Sequence, residues 1–260
     1  MKVSLFEPSE VFLPKNLVNW SALCFASGAV NAGALAACRR LITHITGIAT
    51  RIGADVGQWN LLAEYALVFT AFFAGALAAS FWVISRVRRG ASPSYFVPLA
   101  TVSLILILTS ALGRLGAFGP FGVTVETAGD FMLLAFLAFA SGLQNAAVGL
   151  ATGSLVRTTH LTGPTTDLAV HFGNLLWGRP EARVDARCYV GLRALKIGSF
   201  IGGGVVAALF AERLQYLVFL IPVPAILFAA VRSLAEPAGH SVAQATPEDA
   251  QEPAVPTPAR

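Results

Sequence analysis

Two near-identical pentapeptides carry the residue types most able to do chemistry in this chain: Thr43-His44-Ile45-Thr46-Gly47 and Thr159-His160-Leu161-Thr162-Gly163. Each combines hydroxyls, an imidazole and a glycine beside a long apolar stretch. Threonine caps helix N-termini, and glycine admits close backbone approach. The imidazole has three available roles: proton relay near its ordinary pKa of about 6.5, metal ligation, or plain hydrogen bonding at a helix end. The chain has 4 histidines and no carboxylate or cysteine at ligand spacing beside these two. No metal or cofactor is therefore expected.

Helices are expected to follow both motifs, over 164–175 with Pro164 at its first position, and over 48–57. If such segments dip into a membrane as half-helices, their N-termini converge and favour an anion or a polar solute oxygen. Irregular backbone is tolerated at that depth only where protein buries it or a cavity lies beside it. The alternative is a polar turn at the membrane surface. Asn31, Gln144 and Asn145 are further candidates, either to coordinate a solute or to serve as hydrogen-bonding glue between helices. The expected substrate or ion pathway thus comprises Asn31, Thr43, His44, Thr46, Gln144, Asn145, Thr159, His160 and Thr162. Arg51 and Asp167 occupy matching places after the two motifs and are expected to meet as a gate-like ion pair. Glu64 is read as a candidate acid or as an interfacial carboxylate. No nucleophile–base or metal constellation is present, so an enzyme is not expected.

These residues recur in order. Ser27-Gly28-Ala29-Val30-Asn31-Ala32 matches Ser141-Gly142-Leu143-Gln144-Asn145-Ala146, and the two pentapeptides follow. Phe73-Ala74-Gly75 then matches Phe200-Ile201-Gly202, and Pro98 matches Pro224. With Thr50 against Thr166 and Gly57 against Gly173 just after the pentapeptides, five matches in register mark an internal repeat. Gly75 with Ala79, and the Gly202-Gly203-Gly204 run, read as close helix contacts.

The elements that must position these residues are apolar. Hydrophobic residues make up 55% of the 260 and charged residues only 12%, against about 25% charged in a soluble domain. A hydrocarbon core about 30 Å thick needs about 20 apolar residues per helix. Uncharged runs at 17–38, 65–85, 91–113, 131–156, 197–211 and 214–231 predict six transmembrane helices. The fifth run is short, and Arg193 and Lys196 are expected to lengthen it by snorkelling. Three helices per repeat make the second copy enter from the opposite side, an inverted repeat whose site lies where the copies meet.

Residues 1–16 carry Glu7, Glu10 and two prolines and lack the pattern of a cleavable signal. With the N-terminus inside, thirteen of the 18 lysines and arginines fall on the cytoplasmic side, leaving Arg39, Arg40, Arg51, Arg114 and Arg213 outside. That places both termini in the cytoplasm and accounts for the net charge of +4 without nucleic acid. Cys24, Cys38 and Cys188 fit no metal spacing and read as packing residues. The expected organisation is a cytoplasmic segment 1–16, a first three-helix repeat 17–113, a loop 114–129, a second repeat 130–232 and a tail 233–260. From residue 236 onward the tail is rich in Pro, Ala, Glu and Gln and is expected to be disordered.

The asparagine and glycine of the first span, THITG at 43–47, GLQNA at 142–146 and THLTG at 159–163 resemble the YoaK-like family of bacterial membrane proteins, over most of 15–232. The resemblance implies six spans in a bacterial inner membrane and supplies no substrate. Taken together, the sequence predicts an all-α integral membrane protein that moves a small solute or ion between inverted repeats. The alternative is a membrane scaffold or regulator acting through its basic loops and tail. The bilayer is the expected partner, a small polar solute or ion a possible one, and oligomer formation is left open.

Overall fold

The structure, a computed structural model, describes residues 4–125 and 127–235. The segment 236–260, expected to be disordered, lies outside the described residues. Among the described residues every regular element is helical. Extended Leu13 followed by Pro14 starts α1 (Pro14–Cys38), because proline's fixed φ suits a first helical turn. A short α2 (Ile45–Ala54) leads to α3 (Trp59–Arg88) and α4 (Phe96–Arg114). A capping box between Thr127 and Asp130 starts α5 (Ala128–Ala151). Then come α6 (Thr162–Trp177), α7 (Pro180–Leu214) and α8 (Val223–Ala235).

Five helical runs are long and apolar enough to cross a membrane, the make-up of a membrane protein. Four are α1, α3, α4 and α5, and the fifth is a 55-residue stretch, Pro180–Leu234. That stretch holds both α7 and α8, separated by a 3-10 turn at Gln215–Leu220 that opens on a left-handed Gln215, φ 49°. The ring of Tyr216 sits beside Gly113 at the far end of α4. From there α8 packs back against α4 and α1.

Two helix pairs form the centre: α1 runs along α7, and α3 along α5. Both close at glycines. A Cβ on Gly28 would overlap the carbonyl oxygen of Phe200, and one on Gly203 would overlap that of Phe25. In the other pair, a Cβ on Gly142 would overlap the carbonyl of Phe72, and one on Gly75 that of Phe139. Lipid supplies no hydrophobic drive between helices, so such backbone approach is what gains dispersion contact. The two sets of contacts are equivalent residue by residue: Gly28 with Gly142, Phe25 with Phe139, Phe200 with Phe72, Gly203 with Gly75.

This equivalence corrects the sequence match in the second long helix by one residue. Phe72 and Gly75, not Phe73 and Gly75 against Phe200 and Gly202, answer to Phe200 and Gly203. A Cβ on Gly202 would meet nothing within 4 Å beyond its own helix backbone. The exposed apolar stripes follow the same corrected register, with Phe73, Leu77 and Phe81 on α3 answering to Ile201, Val205 and Leu209 on α7.

Candidate functional site

Each pentapeptide is carried back into the bundle by a left-handed residue at the end of the preceding helix. After α1 that residue is Arg39, φ 58°, and after α5 it is Gly153, φ 57°, with Ser154, φ 69°, beside it. The returning Thr43 donates its backbone N–H (3.3 Å) and its hydroxyl (3.0 Å) to Asn31 Oδ1. Asn31 lies seven residues before the end of α1, about 10 Å down the helix at 1.5 Å per residue. The backbone N–H of Thr159 donates in the same way to Asn145 Oδ1 (3.3 Å), six residues before the end of α5. Each histidine ring then lies against the glycine three residues on. A Cβ on Gly47 would overlap His44 Nδ1, and one on Gly163 would come within 3.0 Å of His160 Cε1.

The threonines do not cap the short helices, contrary to the expectation. The N-cap residues of α2 and α6 are His44 and Leu161, and neither makes a side-chain cap hydrogen bond. Thr43 is instead committed to Asn31. Pro164 is the third residue of α6, not the first, and α2 starts at Ile45 and ends at Ala54.

Both motifs border one cavity of about 600 Å³. Its fourteen lining residues fall into seven equivalent pairs. Asn31 pairs with Asn145, Thr43 with Thr159, His44 with His160 and Thr46 with Thr162. Ile45 pairs with Leu161, Phe72 with Phe200, and Leu41 with Arg157. Phe72 and Phe200 also take part in the glycine contacts between the long helices, and Phe72 lies near the middle of α3. The cavity therefore sits at mid-height of the bundle.

Eight of the nine residues expected on the pathway line this cavity. Gln144 does not. It is buried, and its Nε2 donates to the Leu23 carbonyl and Ser27 Oγ, both at 2.9 Å, and to Thr158 Oγ1 at 3.4 Å. That is the glue role, tying α5 to α1. The expected pair of Arg51 with Asp167 is not formed either. Arg51 faces Asp55 at 3.7 Å one turn on, and Asp167 pairs with Arg193 at 2.9 Å.

A second cavity, about 760 Å³, adjoins the first and shares Leu41, His44 and Thr46 with it. It lies between α2 and the start of α3. Glu64 there is buried and forms a two-pronged ion pair with Arg40 whose Nη2–Oε2 contact is 3.1 Å. Asp55 accepts from the Tyr65 hydroxyl at 2.9 Å.

The second half treats the equivalent space differently. The position of Val68 is taken by Lys196, that of Glu64 by Leu192, and that of Arg40 by Val156. Leu192 and Val156 are buried apolar residues. Lys196 is only 2% exposed. It points inward, instead of snorkelling outward, and donates to the His160 carbonyl at 2.9 Å. With the Arg193–Asp167 pair and the stack of His171 on Tyr189 (4.6 Å), it fastens α6 along α7. Although the His160 ring opens on the cavity, partial burial holds its pKa below the ordinary imidazole value, and the charges of Lys196 and Arg157 act in the same direction.

Arg157, which lines the cavity, and Lys196, which holds the His160 carbonyl beside it, are the residues that sequence reasoning missed. As basic residues flanking apolar runs they were absorbed into the charge bias that sets orientation. Only the repeat, which puts leucine opposite Arg157 and valine opposite Lys196, sets them apart.

No curated protein and no solved structure matches this chain. A family model described as "protein of unknown function (DUF1275)" matches residues 20–232, which takes in most of α1, all of α2 to α7, most of α8 and both pentapeptides. The chain belongs to the DUF1275 family.

Proposed function

We propose that the protein moves a small polar solute or ion across a membrane through the cavity between its two halves. In this reading α7 and α8 count as separate crossings, giving six. The halves are inverted three-helix repeats, α2 and α6 are re-entrant half-helices, and both termini face the cytoplasm. The carrying observation is the pairing of the cavity's lining: seven residues from each half, equivalent one to one, meet at mid-height. Inverted-repeat transporters place their sites at such a junction and build them from broken helices. The resemblance to YoaK-like proteins supports a bacterial inner membrane as the location. A non-catalytic role is part of the same proposal.

A scaffold acting through its loops would have no use for two polar motifs brought to an open space, which weighs against that alternative. The test is flux in proteoliposomes, following protons and a panel of small solutes. Wild type is expected to conduct at least one of them, and His44→Ala and His160→Ala to reduce its rate at least tenfold. Equal background flux for wild type and empty liposomes across the panel would overturn the proposal.

A further inference from the structure

We infer that the central cavity binds a small monovalent oxyanion, a simple carboxylate or its inorganic counterpart, between the amides of Asn31 and Asn145. The inference rests on the transport reading for its purpose but not for its chemistry. The orientation of the amides is set by the backbone. Thr43 and Thr159 present N–H donors, so each asparagine must offer its oxygen to them. The amide nitrogen of each is then the group left over. Asn145 is more than nine-tenths buried and lines the cavity, yet its Nδ2 donates to no described residue. That donor is left for an acceptor held in the cavity.

The charge around the cavity has one sign. Arg157 is its single formally charged lining residue, and no carboxylate lines it. The uncapped N-termini of α2 and α6 both start at its wall, adding backbone donors and the positive ends of two helix dipoles. The adjoining cavity is lined by Arg39, Arg40 and Arg51 against Asp55 and Glu64. There Glu64 is held by Arg40, and Asp55 by Arg51 and Tyr65. An anion entering that way meets an excess of positive charge and no free carboxylate. One arginine also sets the valence, since a divalent anion would bring one charge more than the lining side chains balance.

The experiment is calorimetric titration of the purified full chain in lipid nanodiscs with nitrate, formate, acetate, sulfate, sodium and potassium. Saturable binding of nitrate, formate or acetate is expected, at one site per chain, with sulfate at least tenfold weaker and neither cation binding. Asn145→Asp should weaken anion binding at least tenfold, because its carboxylate still accepts from Thr159 while replacing the donor by a negative charge. Arg157→Gln, outside the helices, should do likewise and decides the matter if the aspartate variant fails to fold. Binding of a cation instead, no anion binding by wild type, or unchanged binding in the folded variants would overturn the inference. Because no flux is measured, anion binding without transport would sink the transport reading alone. Transport of a cation without anion binding would sink this inference alone.

Discussion

The ammonium of Lys196 is hydrogen-bonded, at 2.9 Å, to the backbone carbonyl of His160. A buried basic residue of α7 thus holds the very motif that borders the central cavity. Replacing it by methionine keeps the volume and removes the tether. In a Cys188→Ser background, where Cys24 and Cys38 are buried, Lys196→Met should raise the labelling rate of a cysteine at Leu161 severalfold. The reagent is a membrane-impermeant maleimide, and the rise should occur from the α6–α7 side only. An unchanged rate would show that Lys196 does not hold α6 in place.

The glycine contacts predict a sharp contrast between neighbours. Gly203→Ala must push α7 off the Phe25 carbonyl, whereas Gly202→Ala meets nothing within 4 Å. Overpacking of this kind costs about 1–3 kcal/mol. Thermal unfolding in detergent should register that loss for Gly203→Ala and for Gly28→Ala, and none for Gly202→Ala. If the alternative register were the true one, the order of Gly202 and Gly203 would reverse.

The two halves also suggest their own double-mutant cycle. Arg40 and Glu64 form an ion pair where the second half has Val156 and Leu192. Glu64→Leu alone strands Arg40 and should destabilise. The loss should be below the roughly 3–5 kcal/mol typical of a broken buried pair, because Arg40 keeps part of its side chain in contact with solvent. Adding Arg40→Val should restore most of it. Additive losses in the double variant would mean that the pair contributes nothing beyond its two separate side chains.

His160 sets a pH dependence. Its pKa lies below the ordinary imidazole value of about 6.5, through partial burial first and then Lys196 and Arg157. The folded form therefore binds fewer protons than the unfolded one between its depressed pKa and about 6.5. Stability should be full above that window and fall as pH drops through it. His160→Gln should flatten this part of the profile. A wild-type profile that does not change between pH 7 and pH 5 would contradict it.

Much of this was legible in the sequence, because a repeat turns weak single signals into paired ones. Asn31 and Asn145, or His44 and His160, would each pass for a routine polar residue alone. Their recurrence beside the same pentapeptide marked them, and the cavity collects them. The Arg51–Asp167 expectation failed for a geometrical reason. His44 and His160 line one cavity, but Arg51 and Asp167 sit farther along α2 and α6, do not line it, and find partners nearer by. The one-residue error in the second long helix has another origin: Phe72-Phe73-Ala74-Gly75 and Phe200-Ile201-Gly202-Gly203 can be laid over each other in two ways. Only the backbone contacts choose between them. Lys196 was misread because a basic residue near the edge of an apolar run looks the same whether it turns outward or inward.

Six of the seven cavity pairs are alike in chemistry, and the seventh is Leu41 with Arg157. A space bounded by like pairs alone would look the same from either end, and a guest could sit in it either way up. The lone guanidinium removes that ambiguity. A guest with one charged end and one blunt end has a single preferred pose, head to the arginine and tail to the leucine, and so arrives and departs with its ends told apart.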